Sequence, residues 1–176
     1  MFGHKTHSFL IIVLFIIVMG YITFSYIEKP KTAYIFIPEV FEKFELKKDL
    51  EHKFLNTKNV RQKVLDSLAM QLRLLATKLD QEKIITKENE TLYNNAREDF
   101  YKKRQTFEED NKQLSREYDN EILTQLNQYV KDYGQENNYK YIYGNDNNGS
   151  LMYAEENLNI SKEIIKYINK KYKGVK

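Results

Sequence analysis

Between Glu39 and Tyr133 the chain carries neither glycine nor proline. At average usage of about 7% and 5%, such a stretch would hold roughly eleven of them. A compact α/β enzyme needs a turn about every dozen residues and could hardly be built from it. All six glycines (3, 20, 134, 144, 149 and 174) and both prolines (30 and 38) lie outside the run. Long helices are the structure that this distribution allows. The 176-residue length sets a prior of one domain with little room for a second. Charged residues make up 30% and hydrophobic ones 41%, which suits a solvated helical array better than a thick globular core. Net charge is +3, yet residues 39–138 hold 18 Lys and Arg against 20 Asp and Glu, so the long middle is near neutral. The absence of cysteine excludes disulfides, thiolate metal sites and a cysteine nucleophile.

The first 27 residues are of a different kind. Phe9 to Met19 is unbroken apolar, and Gly20 to Ile27 continues with small polar interruptions. A helix over Phe9–Ile27 would span about 28 Å, close to the hydrocarbon thickness of a bilayer. Tyr21 and Tyr26 suit the far interface, and Lys29 and Lys31 end the run. Two readings stay open: an uncleaved anchor, or a signal peptide cut after Gly20 or Ser25. Either one exports the rest of the chain.

After Pro30, the β-branched and aromatic segment 32–37 reads as a strand. Pro38 suits a first helical turn, with Glu39 and Glu42 placed for the helix dipole. Apolar residues then recur at helical spacing: Val64, Leu68, Leu72, Leu75 and Leu79, and later Phe100, Phe107, Leu114, Tyr118, Ile122, Leu126 and Val130. Between the two sets lies a polar interval in which Thr86, Asn89 or Thr91 could cap a new helix. If both ends return to one body, the reversal falls near residue 88. The helices would then cover about 39–84 and 89–136. An unbroken coiled coil would instead put its flanking strands about 150 Å apart with nothing to pair with.

Gly134 is expected to close the second helix. Strands are expected at 139–143 and 151–154, around an Asn- and Gly-rich turn. Ser161 reads as the N-cap of a last helix over 161–173, with Ile160 stapled on Ile165, a buried stripe of Ile164, Ile168 and Tyr172, and Gly174 as its stop. The lysines at 166, 170, 171, 173 and 176 would form a solvated face or touch anionic headgroups. The fold class is mainly α. A long antiparallel hairpin sits on a small three-stranded β body with a C-terminal helix, and a hydrophobic N-terminal helix precedes it. The division is an anchor or signal segment over 1–27 and a folded domain over 28–176. Three strands are too little for a self-sufficient core, so the body should assemble with other copies. Ile35, Ile37, Tyr141, Tyr143, Leu151 and Tyr153 are the strand residues expected in that assembly.

This order of elements resembles the Skp/OmpH family of periplasmic chaperones. The residues that carry the resemblance are 32–44 (TAYIFIPEVFEKF), 122–143 (ILTQLNQYVKDYGQENNYKYIY), 151–154 (LMYA) and 159–165 (NISKEII). They resemble the family's first strand with its V-F-x-x-[FY] motif, its helix exit into strand two, and its L-Y-A … D-I-T-x-x-V close. The resemblance spans nearly everything after residue 31. It implies a homotrimer whose hairpins project like tentacles around a cavity. It also implies a periplasmic location and an ATP-independent holding of unfolded outer-membrane β-barrel proteins. The chain departs from the family in its near-neutral arms and in a segment that could tether it to the inner membrane.

No catalytic constellation stands out, and no cofactor, metal or nucleic-acid partner is expected. His4 and His7 form an H-x-x-H without a third ligand, and Glu108-Glu109-Asp110 reads as a solvated helical face. Phosphate-loop, dinucleotide and nucleophile-elbow motifs are absent from the sequence. Most arm aromatics (Phe44, Phe54, Tyr93, Phe100, Phe107, Tyr118) read as seam residues, and Tyr101 is the best candidate to face a cavity. A membrane-anchored coiled-coil scaffold is the alternative to the chaperone.

Overall fold

The computed structural model describes residues 11–22, 30–81 and 86–174. Residues 11–22 are helical (α1) and exposed throughout. Among the described residues no helix is long and apolar enough to cross a membrane. The apolar run 9–27 extends past this helix on both sides, outside the described residues.

The folded part begins with β1 (Thr32–Phe36), which passes directly into α2 (Ile37–Glu42) with proline in the first turn. Two residues later α3 (Glu45–Gln81) starts, and α4 (Lys87–Glu136) returns alongside it. β2 (Tyr141–Asn145), a 3₁₀ turn (Glu156–Leu158) and α5 (Ser161–Tyr172) follow. Counted at 1.5 Å per residue, α3 is about 55 Å long and α4 about 75 Å. The reversal falls between Gln81 and Lys87, slightly before the expected position. Thr86 caps α4 by accepting from the Asn89 N–H at 3.4 Å.

β1 and β2 are parallel, in register from Thr32↔Tyr141 to Phe36↔Asn145. A parallel pair needs a crossover, and here the entire hairpin is the crossover. The expected third strand at 151–154 is not formed. Those residues have no strand pairing, and the chain instead reaches the far edge of β1 at Asn159, which bridges Tyr34. The reason is that a strand is defined by its neighbour. Asx turns at Asn145 and Asp146, and Gly149 at φ +88°, carry the chain away from β2. The sheet therefore has two strands among the described residues.

The core sits where the arm meets the body. Ala33 and Ile35 of β1, Val40, Phe44, Leu46 and Leu50 of the ascending chain, Ile122 and Leu126 of α4, and Ile160, Ile164 and Ile168 form one buried cluster. α5 closes it by packing against β1, α2, α3 and α4. Farther out along the arm, beyond Leu50 and before Ile122, no described residue is fully buried.

Three local expectations are corrected. Gly134 does not end α4; it lies inside the helix, where a Cβ would stand 3.3 Å from Ile142 Cδ1. The end is made by Asn138 at φ 58°, with the Tyr139 N–H donating to the Gly134 carbonyl at 2.9 Å. Ser161 is not the cap of α5. Its hydroxyl is buried, donating to Asn159 Oδ1 at 2.6 Å and accepting from the Phe36 N–H at 2.8 Å, so it ties the end of β1 to α5. Nor is the ascending helix continuous, since it breaks at Lys43 and Phe44.

Candidate functional site

Two surfaces remain after the core is assigned. The first is one face of the sheet. Alternation along β2 turns Ile142 toward the core and leaves Tyr141 and Tyr143 outside, 59% and 50% exposed. Their rings stack at 6.1 Å. Beside them a shallow groove of about 390 Å³ runs between the sheet and the 151–158 segment, lined by Tyr34, Tyr143, Leu151, Tyr153 and Leu158 among others. Met152 and Tyr153 are 88% and 82% exposed. Burial and the neighbouring Glu156 push the Tyr34 phenol above its ordinary value. Both edges of β1 are occupied, by β2 and by the Ile160 N–H on the Tyr34 carbonyl at 3.0 Å. Among the described residues, no strand lies beside the outer edge of β2.

The six residues expected at the assembly surface divide. Ile35 is buried in the protomer's own core, and Ile37 packs against that core from the first turn of α2. Tyr141, Tyr143 and Tyr153 are exposed, and Leu151 is half-buried in the groove. Tyr34 and Leu158 also line that groove. Both sides of β1 carry apolar or aromatic residues, so the sequence alone does not single out Tyr34, and nothing local marks Leu158.

The second surface is the arm. Phe54, Leu65, Leu68, Leu72, Leu75 and Leu79 of α3 are half-buried toward α4, and Tyr93, Phe100, Phe107, Leu114 and Tyr118 answer them. Val64, expected in this seam, points outward and Leu65 takes its place. The seam contains a polar layer. Arg61 donates to Asn111 and, at 3.4 Å, to Asp110, while its guanidinium lies 5.6 Å from the centre of the Phe107 ring. A partly open cavity of about 270 Å³ adjoins this layer. Leu55, Val60, Met70, Leu74, Leu92 and Tyr101 are more than half exposed. Tyr101 stands edge-on to Phe100 at 5.5 Å, with Arg104 over its own ring at the same distance.

The polar residues do not gather into a chemical centre. Among the described residues no three His, Asp or Glu side chains are placed to hold a metal ion. His52 is exposed on α3, and His4 and His7 lie outside the described residues. Asp110 meets Arg61, and Glu108 meets Arg104 at 3.8 Å. Of the C-terminal lysines, Lys171 pairs with Glu136 at 3.1 Å and Lys173 with Glu45 at 2.8 Å, while Lys166 and Lys170 are exposed. Lys176 lies outside the described residues.

This architecture matches known proteins in two comparisons. A crystal structure from Caulobacter crescentus CB15, described as an OmpH-like outer membrane chaperone, superposes with a TM-score of 0.70. It covers 81% of this chain and 86% of its own at 12% identity, a likeness of fold. No curated relative matches the sequence. The family described as "Outer membrane protein (OmpH-like)" matches residues 31–168, which is the whole of the sheet and hairpin and most of α5. The chain belongs to the OmpH-like outer membrane protein family.

Proposed function

We propose that this protein is an ATP-independent holding chaperone of the bacterial envelope, taking unfolded outer-membrane β-barrel proteins between the arms of a trimer. The observation that carries the reading is the family match over arm and body together, since holding needs both. Unfolded β-barrel chains expose apolar strands with unpaired edges, which aggregate. Arms with scattered exposed apolar residues and a half-buried seam offer many weak contacts instead of one tight pocket. Affinity then comes from the number of contacts made at once. The open edge of β2 and the aromatic groove are the surfaces through which three copies would join. The apolar run 9–27 would deliver the chain to the periplasm, as an inner-membrane tether or as a signal removed on export. Mass spectrometry of the mature N-terminus separates those two routes.

The test is direct. A denatured β-barrel protein is diluted from denaturant with and without the full chain, and aggregation is followed by light scattering. Suppression without nucleotide is the expected result, and undiminished aggregation at excess chaperone counts decisively against the reading. The near-neutral arms favour a second reading, a scaffold that pairs with other helices. A dimeric rod in solution would support the scaffold.

A further inference from the structure

The ascending chain is interrupted where its sequence gives no reason to be. Glu42-Lys43-Phe44-Glu45-Leu46 contains no glycine, proline or β-branched residue, and each of these residues can continue a helix. Yet α2 ends at Glu42 and α3 begins at Glu45. Helix ends leave carbonyls and N–H groups without partners. Here one side chain supplies both kinds. Asn169, from the last turn of α5, donates through Nδ2 to the Lys43 carbonyl at 2.9 Å and accepts through Oδ1 from the Glu45 N–H at 2.9 Å. Between these two bonds Phe44 is fully buried, edge-on to Tyr129 at 6.1 Å and to Tyr172 at 5.9 Å. Tyr172 donates to Asp49 at 2.7 Å, and Lys173 pairs with Glu45 at 2.8 Å, so α5 grips the first turns of the arm.

We propose that Asn169 is a positioning residue for the arm: its amide holds the break between α2 and α3 open and so sets the direction in which the hairpin leaves the body. Without it, the segment joins into one helix and the arm takes another direction. The break is a tertiary feature: residues 42–46 hold no proline, glycine or serine, and a side chain set into the backbone ladder is a known cause of such kinks.

The chain has no cysteine, so spin labels can be placed at will. One goes on the exposed arm at Gln71→Cys and one on the body at Lys140→Cys, in the full chain diluted with unlabelled copies. Gln71 lies about 40 Å along α3, so a change of about 20° in direction moves its label by roughly 14 Å. In Asn169→Leu, which keeps the volume and loses both bonds, the distance distribution shifts or splits by on the order of 10 Å. Asn169→Asp, which keeps the acceptor alone, shifts less. Tyr172→Phe, which loses a different bond between the same helices, keeps the parent distribution. A folded Asn169→Leu protein with the parent distribution overturns the proposal. Equal displacement in Tyr172→Phe also overturns it, since any loosening of α5 would then suffice. If Asn169→Leu fails to fold, Asn169→Asp decides alone, and coincidence with the parent overturns it.

Discussion

At position 144 a side chain would have to push Ile37 aside. Gly144 is the next-to-last residue of β2, opposite Ile35, and a Cβ there would stand 2.5 Å from Ile37 Cδ1 and 3.2 Å from Ile37 Cγ1. Gly144→Ala is therefore expected to lower stability by about 1–3 kcal/mol, the usual cost of overpacking. Ile37→Val removes the nearer atom, and the double variant should recover part of the loss in chemical denaturation. Tyr172 offers a test by pH. Its hydrogen bond to Asp49, then burial, push the phenol up to about 12. Because the folded value lies above the unfolded one, the contribution is complete below about 10 and is lost as pH rises from about 10 toward 12. Tyr172→Phe should flatten the alkaline limb of the stability curve across that window. An unchanged limb would place the bond elsewhere. Glu136 behaves in the opposite sense: hydrogen bonds from Tyr167 and then Lys171 hold its carboxyl below the ordinary value, so its contribution falls away in acid.

The elements end where single backbone groups find partners, and composition is a partial guide to where that happens. Gly174, at φ +70° just after α5, was readable as a stop. The end of α4 was not, because an asparagine holds the left-handed position while the nearby glycine serves packing. Asn138→Gly should leave stability equal or raise it by up to about 1 kcal/mol, and Asn138→Val should lower it by about 1–2 kcal/mol. Thermal melts of the pair check this, and equal values for both would remove Asn138 from the cap. The seam was legible in outline from its apolar spacing. Its register was off at Val64, since a residue and its neighbour on a helix differ by about 100° in direction and both Val64 and Leu65 are apolar. The polar layer at Arg61 was invisible, because no local pattern distinguishes an arginine that spans the seam from one in solvent.

For the molecule as a whole, the unfinished sheet is the feature with the largest consequence. Two strands with one open edge and an aromatic face are a small body, and such a body is expected to be completed by other copies. If the proposed trimer joins through this face, Tyr143→Asp combined with Tyr153→Asp should abolish it, read as a fall to monomer mass by sedimentation, while far-UV circular dichroism keeps its helical signal. Retained assembly in that variant would move the interface off this face. Three of the six residues first expected there are exposed on it, and Leu151 lines its groove; Ile35 and Ile37 were drawn into the protomer's own core. Alternation alone could not assign the two sides of β1, because residues on both are apolar or aromatic.

The chain's own sequence determined the long helices, their reversal near the middle, the strand on either side of them and the family to which the whole belongs. The helices and their reversal follow from where glycine and proline are missing and from repeated apolar spacing, the strands from short β-branched and aromatic runs. The family follows from the motifs at 32–44, 122–143, 151–154 and 159–165, and all of these are patterns among residues close along the chain. Tertiary structure alone decided the break at Lys43 and Phe44, the tie through Ser161 and the polar layer of the arm. Each depends on a group far away in sequence, more than 120 residues for Asn169 at the break and for Ser161 on Phe36. Hydrogen-bond partners at that distance leave no periodic trace in the segment they reshape.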